Sequence, residues 1–538
     1  MAVTLETPGA SLRRSIYALL IVAACAAAAG RILTVASDDG KTPFLSANDR
    51  SRWSTIRALV DEGTFELDKV ILRPDGKRDK HWYSIDLVRH RGWDGREHYY
   101  SSKPTLTTVL LAGEYWIVQR VLGTTLEEHP LYVGRAMLLL TNIVPLAIYL
   151  WLLSRLIERY GSTDWGRLLV LACAAFGTFI TTFSVTLNNH TLAAVTALAT
   201  VYLVLSLWQQ ATPAWWRFVA AGLLAALTVA NELPALAMLA LLALALLYKS
   251  PLKTCLGFAP AVMLIAAAAV GTNYWAHGSW KTPYAHRKDG AEIAMVHEEV
   301  RDELDAGILP WELLAPLAQA DYPFSGYAQI TVKTPGERWM YWDDREQLRL
   351  AIVSVTDAEQ PGLSIRAWDN WYDYEGTYWN DENKRGVDRG EPSRWVYAFH
   401  CLFGHHGLFS LTPIWLGSVL GLWMLWRKPE IELRGFALMT LVLTVVVLSF
   451  YIVQRPLEDR NYGGVSSGLR WMFWFTPLWL IALVPAADWF SATRSRRAIA
   501  LVAFAVSVLS AHYASLNPWS PPWLFDYWTY LGWLNYGS

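Results

Sequence analysis

Eleven apolar runs recur along the 538 residues, at about 15–36, 135–154, 167–187, 190–208, 217–231, 234–248, 255–275, 407–426, 435–453, 471–489 and 498–516. A helix that crosses a bilayer needs roughly 20 apolar residues, because hydrocarbon leaves every backbone polar group to be satisfied within the helix. A chain with so many such runs is expected to fold as an all-α polytopic membrane protein with about 11 transmembrane helices. The fifth and sixth runs are short and meet at Asn231-Glu232-Leu233-Pro234, so they also read as one buried hairpin. Charged residues make up 17% of the sequence, against about 25% in an ordinary soluble domain. Disordered, collagenous and coiled-coil chains are excluded as well. The run at 15–36 follows Arg13-Arg14 like a signal peptide. It is longer than an h-region of roughly 7–15 residues, so it is expected to stay as the first helix.

Charge orients the set. With the N-terminus in the cytoplasm, Arg13, Arg14, Arg155, Arg159, Arg167, Arg217, Lys249, Lys253, Arg427, Lys428, Arg434, Arg494, Arg496 and Arg497 all fall at inner helix ends. That is the positive-inside arrangement. It predicts a bacterial inner or plasma membrane protein with the C-terminus and any site extracytoplasmic. Four Cys (Cys25, Cys173, Cys255 and Cys401) lie in or beside apolar runs without a CxxC pair. Neither a disulfide framework nor a zinc site is expected. A net charge of −1 offers no basic field for nucleic acid.

Three parts follow from this layout: 1–275, a helical module with a first outer loop at 37–131; 276–406, a small extracytoplasmic α/β domain; and 407–538, the last helices with an outer tail. In the first loop, Trp53, Ile56, Leu59 and Val60 give 51–61 helical spacing. The apolar stretch 105–122 would reverse the topology if it spanned, so it is expected to lie in the interface. In the middle part a charged helix is expected at 291–306, and alternation at 327–332 and 350–355 predicts strands.

Polar clusters gather at the outer helix ends. Asn48-Asp49-Arg50 stands shortly after the first helix. Asp49 there can serve as a general base or hold a metal ion, or Asn48 or Asp49 can cap the following helix. Arg50 and Arg52 are expected to keep it ionised. Lys103-Pro104 opens the interfacial stretch, where a cation can meet a lipid phosphate or snorkel. Asn188-Asn189-His190 and Glu232 sit at inter-helix turns, and an acid at such a depth usually faces a cavity or partner. Tyr274 and His277 leave the seventh run towards Tyr284, His286 and Arg287. Arg460 and Arg470 bracket a Gly/Ser-rich turn at 459–470 that can cradle a phosphate. No internal repeat and no HExxH, GxSxG, P-loop or Rossmann fingerprint in its required context occurs.

In this order the pieces resemble the GT-C membrane glycosyltransferases, among them the protein O-mannosyltransferases and lipid A aminoarabinose transferases. Asp49 matches the family's catalytic acid after the first helix, and Ser102-Lys103-Pro104-Thr105 matches its Lys-Pro-Pro segment without the second Pro. Asn273-Tyr274 through Gly278-Ser279, residues 407–413 and residues 463–470 are similar to further family motifs. Glu232 stands where the family carries a Lys on the lipid phosphate, so it is expected to be the outlier. The resemblance implies an enzyme that moves a sugar from a polyprenyl-phosphate donor to an extracytoplasmic acceptor, lipid, glycan or protein, with inversion. Asp49 would then be the base. Lys103, Arg460 and Arg470 would hold the donor phosphate, and Asn48, Arg50, Asn188, Asn189, His190, Glu232, Tyr274, His277 and Tyr284 would line the pocket. No metal or other cofactor is expected, and a divalent ion is left open. The competing class is a non-enzymatic transporter or envelope-assembly scaffold. A transporter would place its polar residues near mid-membrane.

Overall fold

The computed structural model describes residues 8–323, 325, 327–355, 362–380, 382–456 and 460–536. Eight of its helices are long and apolar enough to cross a membrane: Gly9–Thr34, Pro130–Tyr160, Asp164–Phe183, Asn189–Trp208, Pro251–His277, Ile431–Gln454, Arg470–Phe490 and Arg494–Tyr513. Three shorter apolar helices, Trp215–Asn231, Leu233–Lys249 and Trp415–Trp426, coincide with the other three runs. The protein is a mostly helical, polytopic membrane protein with a small sheet domain. Pro at the first turn and left-handed Gly at the end, as at Pro130 and Gly278, mark helix limits.

Burial separates inner from outer helices. The apolar window of Arg470–Phe490 is 83% buried and that of Asp164–Phe183 is 78% buried, against 22% for Gly9–Thr34, Pro251–His277 and Arg494–Tyr513. All are apolar all round, so the outer three present their free faces to lipid. Where helices pack closely, small residues allow backbone contact. A Cβ at Gly421 would overlap the Ala482 carbonyl, and one at Gly222 would overlap the Phe258 carbonyl.

One end of the bundle is closed by short turns at 161–163, 209–214, 427–430 and 491–493. There Arg13 pairs with Glu158 and Asp164, both at 2.5 Å. Asp488 accepts from the backbone N–H of Ser162 (2.7 Å) and Thr163 (2.8 Å). The other end carries every long connection.

The first of these holds helix Ala47–Arg57 and a hairpin of β1 (Leu87–Arg91) and β2 (Glu97–Ser101), paired Leu87 to Ser101. Helix Thr105–Leu122 follows, with Leu111, Tyr115 and Val118 buried and Leu110, Ile117 and Val121 exposed. The second holds an antiparallel five-stranded sheet in the order β3 (Glu292–Val296), β7 (Gly362–Ala367), β6 (Leu348–Val355), β5 (Arg338–Asp343), β4 (Gln329–Thr334). The alternation at 327–332 and 350–355 is thus realised in β4 and β6. The helix expected at 291–306 is not formed: β3 occupies its start and only Arg301–Asp305 is α-helical. Residues 292–296 find an open edge on β7, Val296 opposite Leu363, and a paired edge outweighs weak local helix preference.

One sheet face packs Trp339, Tyr341, Ile352 and Ile365 on Leu304, Leu313 and Leu317. On the other, Arg349 pairs with Glu97 of the hairpin, and Arg91 Nη2 donates to the Glu346 carbonyl at 2.8 Å. These bonds seat the sheet on the first loop.

Candidate active site

The hairpin register builds the first pair. Because Leu87 lies opposite Ser101, Asp86 falls opposite Ser102, and Lys103, the next residue, emerges beside it at the hairpin base. Lys103 Nζ is 2.9 Å from Asp86 Oδ2, and both are buried. Lys103 also helps line a cavity of about 10 Å³ with Thr55, Tyr100 and His277. Tyr284 is half-exposed, yet Lys103, Asp86, Arg287 and Arg52 are its charged neighbours. A water-reached phenol among buried charges lines an opening. Loss of water around the ring would raise that phenol, but the Lys103, Arg287 and Arg52 cations together hold it below its ordinary value.

A second group joins helix Ala47–Arg57 to the ends of the apolar helices Asn189–Trp208, Trp215–Asn231 and Arg470–Phe490. Arg52 Nη2 donates to Asn189 Oδ1 at 2.6 Å, and Asn189 Nδ2 donates to Glu232 Oε1 at 2.8 Å. His190 Nδ1 meets the same oxygen. Arg470 Nη1 stands 3.1 Å from His190 Nε2. A guanidinium only donates, so Nε2 carries the lone pair and Nδ1 the proton. Asn189 thus donates to Oε1 of Glu232 from one side, and His190 Nδ1 lies against the same oxygen from the other, outside hydrogen-bond geometry. Among the described residues the contacts of Glu232 fall on Oε1 and none on Oε2, although the residue is 5% exposed.

The cations of this group make no direct ion pair among the described residues, and Glu232 and Asp86 act on them only from a distance. Arg52 bonds the main-chain and side-chain carbonyls of Asn48 and Asn189 Oδ1. Arg470 bonds His190 and the Gly463 carbonyl and lies 4.8 Å over the Trp519 ring, with its Nε unsatisfied. Among the described residues neither touches a carboxylate. Burial draws the Arg52 guanidinium down to about 10, with the Tyr284 charge opposing. A buried cation without a counter-ion is expensive, so the pair is built to receive a negative group.

Asp49 is placed differently. Ser46, not Asn48 or Asp49, is the N-cap of helix Ala47–Arg57, and Asp49 is the acid of its capping box. Its Oδ1 accepts from Ser46 N (2.8 Å) and Ser46 Oγ (3.2 Å), and its Oδ2 from Leu45 N (3.0 Å) and Thr186 Oγ1 (2.7 Å). It is wholly buried. Burial pushes its carboxyl up while these donors pull against it. The flanking arginines do not clasp it: Arg50 Nη1 reaches the Tyr83 carbonyl and Arg52 reaches Asn48 and Asn189. Thr186, which also accepts from Trp519 Nε1 (3.1 Å), separates Asp49 from Arg470.

The structure thus brings Asn48, Asn189, His190, Glu232 and Arg470 into one network, with Lys103 and Tyr284 nearby. Glu232, expected to be the outlier, is its centre. Asn188 is occupied as the N-cap of helix Asn189–Trp208, accepting from Thr191 N at 2.9 Å. Tyr274 stacks on Trp280 at 4.1 Å, away from the network, and His277 Nδ1 meets His90 Nε2 at 3.0 Å. Arg460 is buried, and the turn's first residue, Asp459, lies outside the described residues. Asp86, Thr186, Asp388 and Trp519 escaped the sequence reading. Asp388 is buried, accepts from Asn461 Nδ2 (2.7 Å) and Tyr378 (3.0 Å), and is raised by burial. None of them carried a signal in the sequence; Asp86 gains its place beside Lys103 from the hairpin register. Among the described residues one group could hold a metal, Glu66, Asp94 and His98, whose ligand atoms lie within 4.8 Å of one another in the first loop.

No family model and no curated protein matches the sequence. Among solved structures, the chain is similar to the Archaeoglobus fulgidus oligosaccharyltransferase in its apo form, with TM-score 0.43 and 12% identity over 94% of this chain. It spans 56% of that protein's length. It is also similar to the protein O-mannosyltransferase complex of S. cerevisiae bound to the sugar donor, with TM-score 0.46 and 11% identity, covering 100% of this chain and 93% of that one.

Proposed function

We propose that this protein is a membrane glycosyltransferase that takes a sugar from a polyprenyl-phosphate donor and passes it to an acceptor hydroxyl with inversion. The observation that carries this reading is the pair of buried guanidiniums, Arg52 and Arg470, without a direct carboxylate partner, beside a carboxylate whose contacts fall on one oxygen. The basic helix ends oppose the site, so the N-terminus is cytoplasmic, and the site and C-terminus are extracytoplasmic.

In this mechanism the anomeric C–O bond to phosphate breaks as the acceptor oxygen attacks from the opposite side. Negative charge grows on the leaving phosphate, where Arg470, Arg52 and Lys103 stabilise it most at the transition state. Glu232 Oε2 accepts the acceptor's hydroxyl proton, held in place through Oε1 by Asn189 and His190. Glu232 replaces Asp49 as the base because every Asp49 lone pair is engaged. A transporter or assembly scaffold is less suited, since the buried charges sit at helix ends rather than at mid-membrane.

The test uses full-length protein in proteoliposomes with synthetic polyprenyl-phosphate sugars, following release of polyprenyl phosphate in a single turnover. Release that depends on Glu232 and Arg470 supports the reading. Absence of release across pentose, hexose and aminosugar donors, with an acceptor extract present, overturns it.

A further inference from the structure

We infer that Ser279, His286 and Asp369 form a second reactive centre, a serine nucleophile that cleaves carboxylic esters at the membrane surface. This centre does not depend on the glycosyl-transfer reading.

The three residues come from separate parts of the chain. Helix Ala259–His277 ends at Gly278, whose φ of +64° turns the backbone out. Ser279 follows at once. Asn273 Nδ2 donates to the carbonyls of Ser279 (2.8 Å) and Lys281 (2.9 Å), which pins this turn. His286 lies after the short helical turn Pro283–Ala285, and Asp369 lies two residues beyond β7. Trp371 N donates to the His286 carbonyl at 3.1 Å, and the Trp371 ring stacks on the His286 ring at 3.6 Å and 3°. The imidazole is therefore fixed in position and plane, and it is buried.

The hydrogen bonds have the polarity that a nucleophile requires. His286 Nδ1 is 2.5 Å from Asp369 Oδ1, and Ser279 Oγ is 3.0 Å from His286 Nε2. An ionised carboxylate only accepts, so Nδ1 bears the proton and Nε2 offers its lone pair to the Ser279 hydroxyl. A nucleophile, a base within reach and a third group that orients the base define the arrangement. Lys281 N donates to Ser279 Oγ at 3.1 Å, leaving one lone pair for attack. Among the described residues no acceptor takes the backbone N–H of Ser279 or Trp280, so both remain open to a developing oxyanion.

Position selects the substrate class. Ser279 stands just past the end of a spanning helix, amid the exposed rings of Trp93, Trp275 and Trp280. Such rings belong at the membrane–water interface. An ester with an apolar chain meets the serine there. Oγ bonds to the carbonyl carbon, its proton passes to Nε2, and the C=O pair moves onto oxygen. The oxyanion then collapses, the ester C–O bond breaks, and the alcohol leaves with the Nε2 proton. Water attacks the acyl-serine, gives its proton to Nε2, and releases the acid, and the proton returns to Oγ. Asp369 stays opposite the transient imidazolium and holds its Nδ1 proton in place.

Full-length protein in nanodiscs is treated with a fluorophosphonate probe, and the labelled site is mapped by peptide mass spectrometry. Labelling is expected at Ser279, absent in Ser279→Ala, and slowed roughly 10²–10⁴-fold in His286→Ala, the usual worth of a positioned base. p-Nitrophenyl butyrate hydrolysis should fall in parallel. Ser279→Cys provides a check independent of acyl chemistry. Alkylation at position 279 should be at least tenfold faster with His286 than in the Ser279→Cys/His286→Ala double variant. Label that persists in Ser279→Ala, an unlabelled wild type beside a labelled control hydrolase, or equal alkylation rates in the two Cys variants overturns the inference.

Discussion

Asp49 and Glu232 are both buried carboxylates near the same end of the bundle, and they differ in what their second oxygen does. Asp49 spends four acceptor positions on Leu45, Ser46 and Thr186, three of them on groups at the start of its own helix. Glu232 takes its Asn189 hydrogen bond and its His190 contact on one oxygen and leaves the other open. A saturated carboxylate holds structure, because its charge is already distributed among fixed donors. A half-saturated one is oriented and still has a lone pair for a proton. Proximity to the first helix, which singles out Asp49 in the sequence, says nothing about that distinction.

Exchanging each acid for its amide separates the two roles. Glu232→Gln can keep its carbonyl oxygen on Asn189 and His190 and place the amide nitrogen at the open side. The fold should survive, and single-turnover transfer should fall roughly 10²–10⁴-fold, the worth of a general base. Unchanged turnover in folded Glu232→Gln breaks the comparison. Arg470→Gln should act on donor binding. Hydrogen bonds to a charged group contribute about 1.5–3 kcal/mol, so donor Kd measured on liposomes should rise roughly 10–10²-fold.

Asp49→Asn has no amide orientation that suits its site, since donors face both oxygens. One N–H pair would point at the Leu45 and Thr186 donors or at Ser46. A loss of about 1–3 kcal/mol is expected from the unmatched buried groups, visible as a lower denaturation midpoint and lower yield. Turnover per folded molecule should change less than tenfold. A stable but inactive Asp49→Asn would restore Asp49 as the base. Thr186→Val removes one of the four donors, and the expected cost is about 0.5–1.5 kcal/mol.

The smallest effect concerns pH. His90, stacked between Tyr100 and Trp371 at 4.1 Å on each side, is pulled by burial to about 4 from an ordinary 6.5. The unfolded chain binds that proton first as pH falls. The stabilisation is thus whole above about pH 6.5 and is lost as pH drops towards 4. His400, at about 4, and His406, at about 3, shift the same way. The melting temperature should fall between pH 7 and pH 5, and His90→Gln should flatten that slope. A slope left unchanged by His90→Gln would direct attention back to the two carboxylates.

Much of the architecture was legible without coordinates. Apolar length alone placed the helices, because a bilayer forbids other solutions for runs of that kind. The alternation in β4 and β6 marked the sheet domain. The residues of the network, Asn189, His190, Glu232 and Arg470, could be named because polar groups at helix ends stand out against apolar runs. Their roles could not. The 291–306 segment read as a helix until an edge of β7 became available to it, and Asp86 carried meaning only once the hairpin register set it beside Lys103. Ser279, His286 and Asp369 lie up to 90 residues apart and meet only because β7 returns to the end of a spanning helix.

The sequence by itself determined where the apolar helices lie, eight of them long enough among the described residues to cross a membrane, since hydrophobic transfer is summed over local windows and needs no partner. Only the tertiary structure decided which carboxylate holds the chain and which keeps an oxygen free. Saturation depends on donors from Thr186, Asn189 and His190, and these reach Asp49 or Glu232 only after distant helices have packed.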